Sequence, residues 1–359
     1  MGKIKKIVLL CIVSISLFAE EKSIVVKDIL DRKVTLNKPI KKVIALGTSL
    51  SYVTYLNAVD TVIGIESIEL KDVEKRTYTY VNKEKVKNLP IIGQGGKAKR
   101  PNLEAIITLQ PDVIFTITQD KMEADLLSKQ LNIPVVVVGY GRNTIDFETV
   151  NYSLKIMGKI LNRDERAEEL INYILQLRNY FKKPTEIQNA YIGSVAYKGL
   201  QGITSTQVDF MPFKLANIGN EASSIQKSGH VFINKEFLLM KNPINIFIDT
   251  AGWKLVMDDF KTNDEYYKKL KAFKNNTVYL LLSNTFYYIN IDQMLANSFF
   301  IAKKIYPTLY PDLNPVEKAN EIFNKFVGEE LYDVIKNDTG GYQKVYLNDV
   351  NELVTEGIF

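Results

Sequence analysis

From residue 23 onward, short apolar runs alternate with segments of helical periodicity. "SIVVKDILDRKVTLNKP", residues 23 to 39, reads as a hairpin-like opening, and apolar runs follow at Lys42 to Leu46, Val62 to Ile65, Val113 to Ile117 and Val135 to Gly139. Strands separated by amphipathic segments predict parallel pairing with helices on the sheet's faces. Residues 145 to 182 then keep apolar positions at helical spacing, with only an Asn-Arg-Asp dip at 162 to 164, which predicts a helix long enough to cross the molecule. The α/β pattern resumes at Ala190 to Val195, Ile244 to Asp249 and Thr277 to Leu282, with helices near 291 to 305 and 315 to 327. This pattern predicts an α/β lobe over 20–144, one linking backbone helix over 145–183 and a second α/β lobe over 184–359.

Two stretches share one arrangement. "RPNLEAIITLQPDVIFTIT", from residue 100, and "INKEFLLMKNPINIFID", from residue 233, each run polar cap, glutamate, apolar helix, proline-containing break, buried strand. Glu104 and Glu236 each fall in a first helical turn, where the positive end of the helix favours an acid by roughly 0.3–1 kcal/mol. One copy in each lobe gives these carboxylates a second use, since two equivalent acids can dock on one symmetric partner.

The first residues change the picture of where the protein works. MGKIKK, a dozen apolar residues and Ala19 before an abrupt polar turn form a secretory signal peptide over residues 1–19, too short to span a bilayer as a mature helix. Lipidation at Cys11 is disfavoured, because only four apolar residues precede it and Leu10 is a poor small residue before a cut. Cleavage after Ala19 removes the single cysteine, so an exported chain without disulfides depends on its own core. It also removes Lys3, Lys5 and Lys6 and no acid, leaving 43 basic against 41 acidic side chains. That balance makes no case for nucleic acid.

In their order, these segments resemble the periplasmic substrate-binding proteins of ABC importers for iron-siderophore, haem and cobalamin-type metal chelates. "KKVIALGTSLSYVTYLNAVDTVIGI", "PNLEAIITLQPDVIF", "LLSKQLNIPVVVVG" and "IMGKILNRDERAEELI" carry the resemblance through the first lobe and the link; "FLLMKNPINIFID", "LKAFKNNTVYLL" and "ANSFFIAKKIYPTLYPDL" carry it through the second. It implies two Rossmann-like α/β lobes on one backbone helix, a ligand cleft between them, no intrinsic cofactor, a monomer, and a permease dimer at the inner membrane engaged by Glu104 and Glu236. Two departures stand out: Asn245 replaces a usual acid, and residues 197 to 232 are unusually polar and aromatic.

Ligands of open α/β sheets sit beyond the carboxyl ends of the strands. In the first lobe that rule selects Thr48 and Ser49, Lys97 and Arg100, and Arg142, the arginines because a guanidinium pairs with carboxylate or catecholate oxygens through two hydrogen bonds. In the second it selects Tyr197, Thr204, Trp253, Phe286, Tyr287 and Tyr288, whose rings give a flat chelate area and hydrogen-bonding tips. His230 is the only histidine. By the resemblance, His230 with Tyr287 or Tyr288 completes the coordination of a chelated iron. No cluster of His, Cys and acids can hold a bare ion, so the metal is expected to arrive chelated.

No Gly-x-Ser-x-Gly elbow, Walker loop or His-Glu-x-x-His occurs, which argues against an enzyme. An adhesion or scaffold protein is the other competitor, and it has no use for cleft-facing aromatics. Ferric siderophore is the expected cargo; haem, a corrinoid, or a nickel or cobalt chelate are the alternatives.

Overall fold

The computed structural model describes residues 23–358 except 97, 98, 143, 284, 349 and 351. The signal-peptide segment and Lys97 therefore lie outside the described residues. The opening hairpin pairs β1 (Ser23–Lys27) with β2 (Lys33–Asn37). Asp28 fixes its turn by accepting from the Leu30 and Arg32 amides, and its other oxygen accepts from Val137, which ties the hairpin to the sheet that follows.

The first sheet is parallel throughout. It comprises β3 (Val43–Ala45), β4 (Val62–Glu66), β5 (Ile91–Gly93), β6 (Val113–Thr116) and β7 (Val135–Val137) in the order β5-β4-β3-β6-β7. These strands are runs of Val, Ile and Phe because both faces are covered, by α1 (Ser49–Tyr55), α2 (Thr77–Val86), α3 (Leu103–Leu109) and α4 (Lys121–Leu131). The chain starts in the middle of the sheet and reverses direction between β3 and β6, which opens a crevice at their carboxyl ends.

The stretch expected to form one linking helix is two helices. α5 (Phe147–Leu161), capped by the Asp146 carboxylate on the Glu148 and Thr149 amides, ends at Asn162 in the left-handed region (φ 55°), and α6 (Asp164–Asn179) begins anew. The Asn-Arg-Asp dip is this break: asparagine tolerates the left-handed conformation that ends a helix. The two helices approach so closely that a Cβ on Gly158 would lie 2.7 Å from that of Ala167. α6 alone, about 24 Å long at 1.5 Å per residue, buries Ala167, Leu170, Ile174 and Leu177 along one stripe.

The second sheet takes β8 (Asn189–Gly193), β10 (Gly219–Asn220), β12 (Ile246–Asp249), β13 (Val278–Leu281), β14 (Gln343–Leu347) and β15 (Leu353–Gly357) in the order β10-β8-β12-β13-β14-β15. Its first four strands are parallel and its switch point lies between β8 and β12; β14 and β15 close the sheet antiparallel. A separate antiparallel ribbon joins β9 (Ser205–Gln207) to β11 (His230–Phe232). The helices are α7 (Met211–Leu215), α8 (Lys235–Lys241), α9 (Trp253–Lys269), α10 (Lys271–Lys274), α11 (Ile291–Ile305), α12 (Pro315–Val327) and α13 (Tyr332–Thr339). The repeated motif is reproduced in three dimensions. Asn102 caps α3 and Asn234 caps α8, and left-handed Gln110 and Asn242 end them at the same offset.

One apolar core runs through both lobes and includes Tyr52, Tyr55, Leu154, Phe299 and Phe326. Tyr55 meets Phe326 edge-on at 4.9 Å, and the Arg166 guanidinium of α6 donates to the Tyr55 and Lys325 carbonyls. Beside this core lies a buried polar bridge between lobes: Asp292 accepts from Thr77 and from the Tyr55 hydroxyl (3.1 Å), and Gln293 donates to the Lys75 carbonyl (3.0 Å). Next to it Arg76, fully buried, pairs with Glu69, and its guanidinium carbon lies 5.3 Å from the Phe286 ring centroid. Burial pushes the Glu69 carboxyl up to about 7 while Arg76 pulls it down.

Gly158→Ala tests the α5–α6 contact. Overpacking costs about 1–3 kcal/mol against a helix-propensity gain of at most about 1 kcal/mol, so urea unfolding should show a net loss of stability. Arg76→Met should cost about 3–5 kcal/mol by leaving a buried carboxylate unpaired. Glu69 titrates at about 7 with Arg76 beside it and higher without it, so below that pH both proteins hold it neutral and the variant's extra loss opens as pH rises above it. The loss is therefore largest at pH 8 and smallest near pH 5, and Arg76→Met with Glu69→Leu should recover much of it.

Candidate functional site

The carboxyl ends of both sheets meet across a cleft, and the loops there come from both switch points. On the first lobe Gly47 follows β3 with φ +63°, and a Cβ on it would stand 2.6 Å from the Ile117 side chain, so glycine is required twice over. From the second lobe the loop 285–290, after β13, reaches across. It places two consecutive tyrosines, Tyr287 (φ 49°) and Tyr288 (φ 67°), in the left-handed region. Each such residue costs on the order of 1–3 kcal/mol and persists only where its surroundings hold it.

Those surroundings are specific. The Tyr287 hydroxyl donates to Glu66 Oε2 at 2.7 Å and accepts from the Gly96 amide at 3.3 Å. Phe286 lies over Arg76 and Lys75, Thr285 donates to Asp249 Oδ2 at 2.8 Å, and Asn290 closes the loop onto the Phe286 carbonyl. Tyr288 packs against Tyr287 with ring centroids 5.1 Å apart and lies over Gly47. Glu66, at the end of β4, also accepts from the Gly47 amide at 2.7 Å; burial pushes its carboxyl up and the two donors pull it back.

A second cluster lies on the ribbon. The His230 ring stacks on Tyr197 at 4.2 Å, nearly parallel, and meets Phe232 edge-on at 4.7 Å. Its Nε2 lies 2.7 Å from Ser205 Oγ, and Ser205 spends its one proton on the Val195 carbonyl at 2.6 Å. The imidazole therefore donates through Nε2–H, and Nδ1 keeps its lone pair with no hydrogen-bond partner among the described residues. Burial lowers the His230 pKa, which keeps the ring neutral at neutral pH. Beside these clusters lies a largely apolar hollow of about 40 Å³, lined by residues that include Thr144, Val195, Gln207, Thr285 and Ile289.

The sequence-selected residues fall into distinct groups. Tyr287 and Tyr288 come together over Gly47, and Tyr197 joins His230, with half-buried Thr204 just ahead of the ribbon. Ser49 is corrected: it is fully buried and its hydroxyl donates to the Leu46 carbonyl, with the Phe115 carbonyl 3.2 Å away, so it fastens α1 to the sheet. Thr48 is likewise buried. Phe286 packs on cations of the first lobe. Trp253 opens α9 half-buried against the second lobe's own core, and Arg100 and Arg142 are exposed. Glu66, Glu69 and Arg76 were not selected. The loop after Val62 to Ile65 is a strand end like the others, and applying the same rule there selects Glu66. No group of three or more His, Cys, Asp or Glu able to hold a metal ion occurs among the described residues.

Residues 53–285 match the family described as periplasmic binding protein. The molybdate-binding protein MolA of Haemophilus influenzae is 22% identical over 360 residues, spanning 90% of this chain and 96% of that protein. The high-affinity heme uptake system protein IsdE of Staphylococcus aureus is 26% identical over 224 residues, 60% of this chain and 74% of its own. Among solved structures, Helicobacter pylori CeuE with nickel-histidine superposes with a TM-score of 0.65 at 20% identity, covering 88% of this chain and 99% of that one. With well over half of its length matched and the two-sheet, cleft-forming fold in common, the chain belongs to the periplasmic binding protein family, solute-binding proteins rather than enzymes.

Proposed function

We propose that the chain captures a chelated metal, a ferric siderophore foremost, in the cleft and delivers it to an ABC permease. The observation that carries this reading is the pairing of aromatic clusters, Tyr287–Tyr288 and Tyr197–His230–Phe232, with the want of a metal-holding cluster among the described residues. Rings offer a flat chelate area and dispersion contacts, and an already chelated ion needs few protein ligands. The cited relatives span molybdate, haem and nickel-histidine by name, so family membership alone leaves the cargo open. The free Nδ1 lone pair of His230 supports a second reading, in which the ring ligates the metal of a haem or of a nickel chelate. In this reading the exposed Arg100 and Arg142 meet anionic groups of the ligand.

In the same reading, residues 1–19 direct export, segments 20–144 and 184–359 act as the lobes, and Glu104 and Glu236 meet basic residues of the permease. Both acids are exposed in first turns of equivalent helices, and neither is in an ion pair among the described residues.

Titrating the mature protein with ferric catecholate, ferric hydroxamate, haemin, cobalamin and nickel-histidine tests the cargo. One class should quench Trp253 fluorescence and, at a hundred-fold excess over Kd, stabilise the fold by about 2.7 kcal/mol. No shift of melting temperature with any of them would sink the chelate reading. Glu104→Ala with Glu236→Ala should leave chelate affinity within two-fold and abolish uptake; normal uptake would remove the docking role.

A further inference from the structure

Glu66 is only 5 % exposed, yet it is half used. Both of its protein donors, the Gly47 amide and the Tyr287 hydroxyl, converge on Oε2, and Oε1 has no donor among the described residues. The neighbouring buried acids are satisfied: Glu69 by Arg76 and Tyr78, Asp292 by Thr77, Tyr55 and the Gln293 amide. Oε1 is not sealed from water, so solvent supplies its hydrogen bond in the free protein and a donor on the ligand can take that place. The neighbouring loop packs closely against Glu66, an approach that glycine allows. A Cβ on Gly95 would stand 3.1 Å from the Glu66 Cβ and 2.9 Å from the Tyr287 hydroxyl.

No described cation neutralises this acceptor. The Arg76 guanidinium is taken by Glu69, Tyr78 and the Ile68 and Lys71 carbonyls, and Arg100 and Arg142 are exposed. A fully ionised oxyanion such as molybdate has no proton to give Oε1 and meets a like charge in a site of low polarity. An N–H, an O–H or a positive centre on a chelate has the opposite balance.

Resting on the chelate reading above, we infer that Glu66 is the cleft's charge-class determinant: its Oε1 anchors a hydrogen-bond donor or positive centre of the ligand and turns a bare oxyanion away. Specificity of this kind comes as much from the unpaired charge met by the wrong ligand as from contacts to the right one.

Calorimetric titrations at pH 8 of the whole mature chain with ferric catecholate, nickel-histidine and sodium molybdate decide the matter. The wild type should bind one chelate and show no molybdate binding up to millimolar concentration. Glu66→Gln should weaken that chelate at least ten-fold. Micromolar molybdate binding by the wild type, or an unchanged chelate affinity in Glu66→Gln, overturns the inference and leaves the chelate reading standing. Silence from both chelates removes this inference, and the chelate reading falls with it when ferric hydroxamate, haemin and cobalamin are silent too. Should Glu66→Gln not fold, the molybdate titration of the wild type still decides.

Discussion

The geometry of the cleft depends on the contact between the lobes behind it. Tyr55 from the first lobe packs on Phe326 from the second within one continuous apolar core, and Asp292 beside them takes hydroxyl donors from Thr77 and Tyr55. A buried carboxylate loses these donors only at a cost of several kcal/mol. Rigid-body opening would have to break apolar and polar contacts together, so the stiffness of the pair comes from this seam as much as from α6. The strand-end loops are thereby held face to face.

The same seam explains how the loop 285–290 can hold two left-handed tyrosines. Their strain is met by anchors on the opposite lobe, Glu66 for Tyr287 and Arg76 for Phe286, which exist in the right places only because the lobes are locked. Loop conformation and lobe arrangement are therefore one property. A substitution that loosens the seam far from the cleft is expected to relax these tyrosines as well.

Strand and helix placement was largely legible because buried parallel strands announce themselves as short Val and Ile runs, and the helix over 315–327 was read to the residue. What escaped notice was set by single residues or by long-range contact. The link looked like one helix because the apolar spacing on each side of Asn162 is helical; only that residue's left-handed backbone separates them. The closing pair β14 and β15 is half-exposed and carries no continuous apolar run. The aromatic residues were legible from their position after strands, and the fold brings Tyr287 beside Tyr288 and Tyr197 beside His230. Ser49 was misjudged because a strand end can turn its polar residues inward to fasten a helix, and Arg76 was invisible because its partner Glu69 and its ring contact at 286 are brought to it by the fold.

The duplicated cap–glutamate–helix–strand unit suggests how one scaffold separates its two tasks. In α3 and α8 the Asn cap, the acid and the left-handed stop keep the same spacing, so the outward acids are fixed by local backbone rules alone. The cleft has no such symmetry. Glu66 stands on one side and the ribbon with His230 on the other. Local rules can repeat a surface because a surface acid needs only a helix end, whereas a half-satisfied buried acid needs one particular partner loop. On the proposed reading, features that meet a symmetric partner can thus remain constant while those that meet the ligand diverge, since the two sets draw on different parts of the fold.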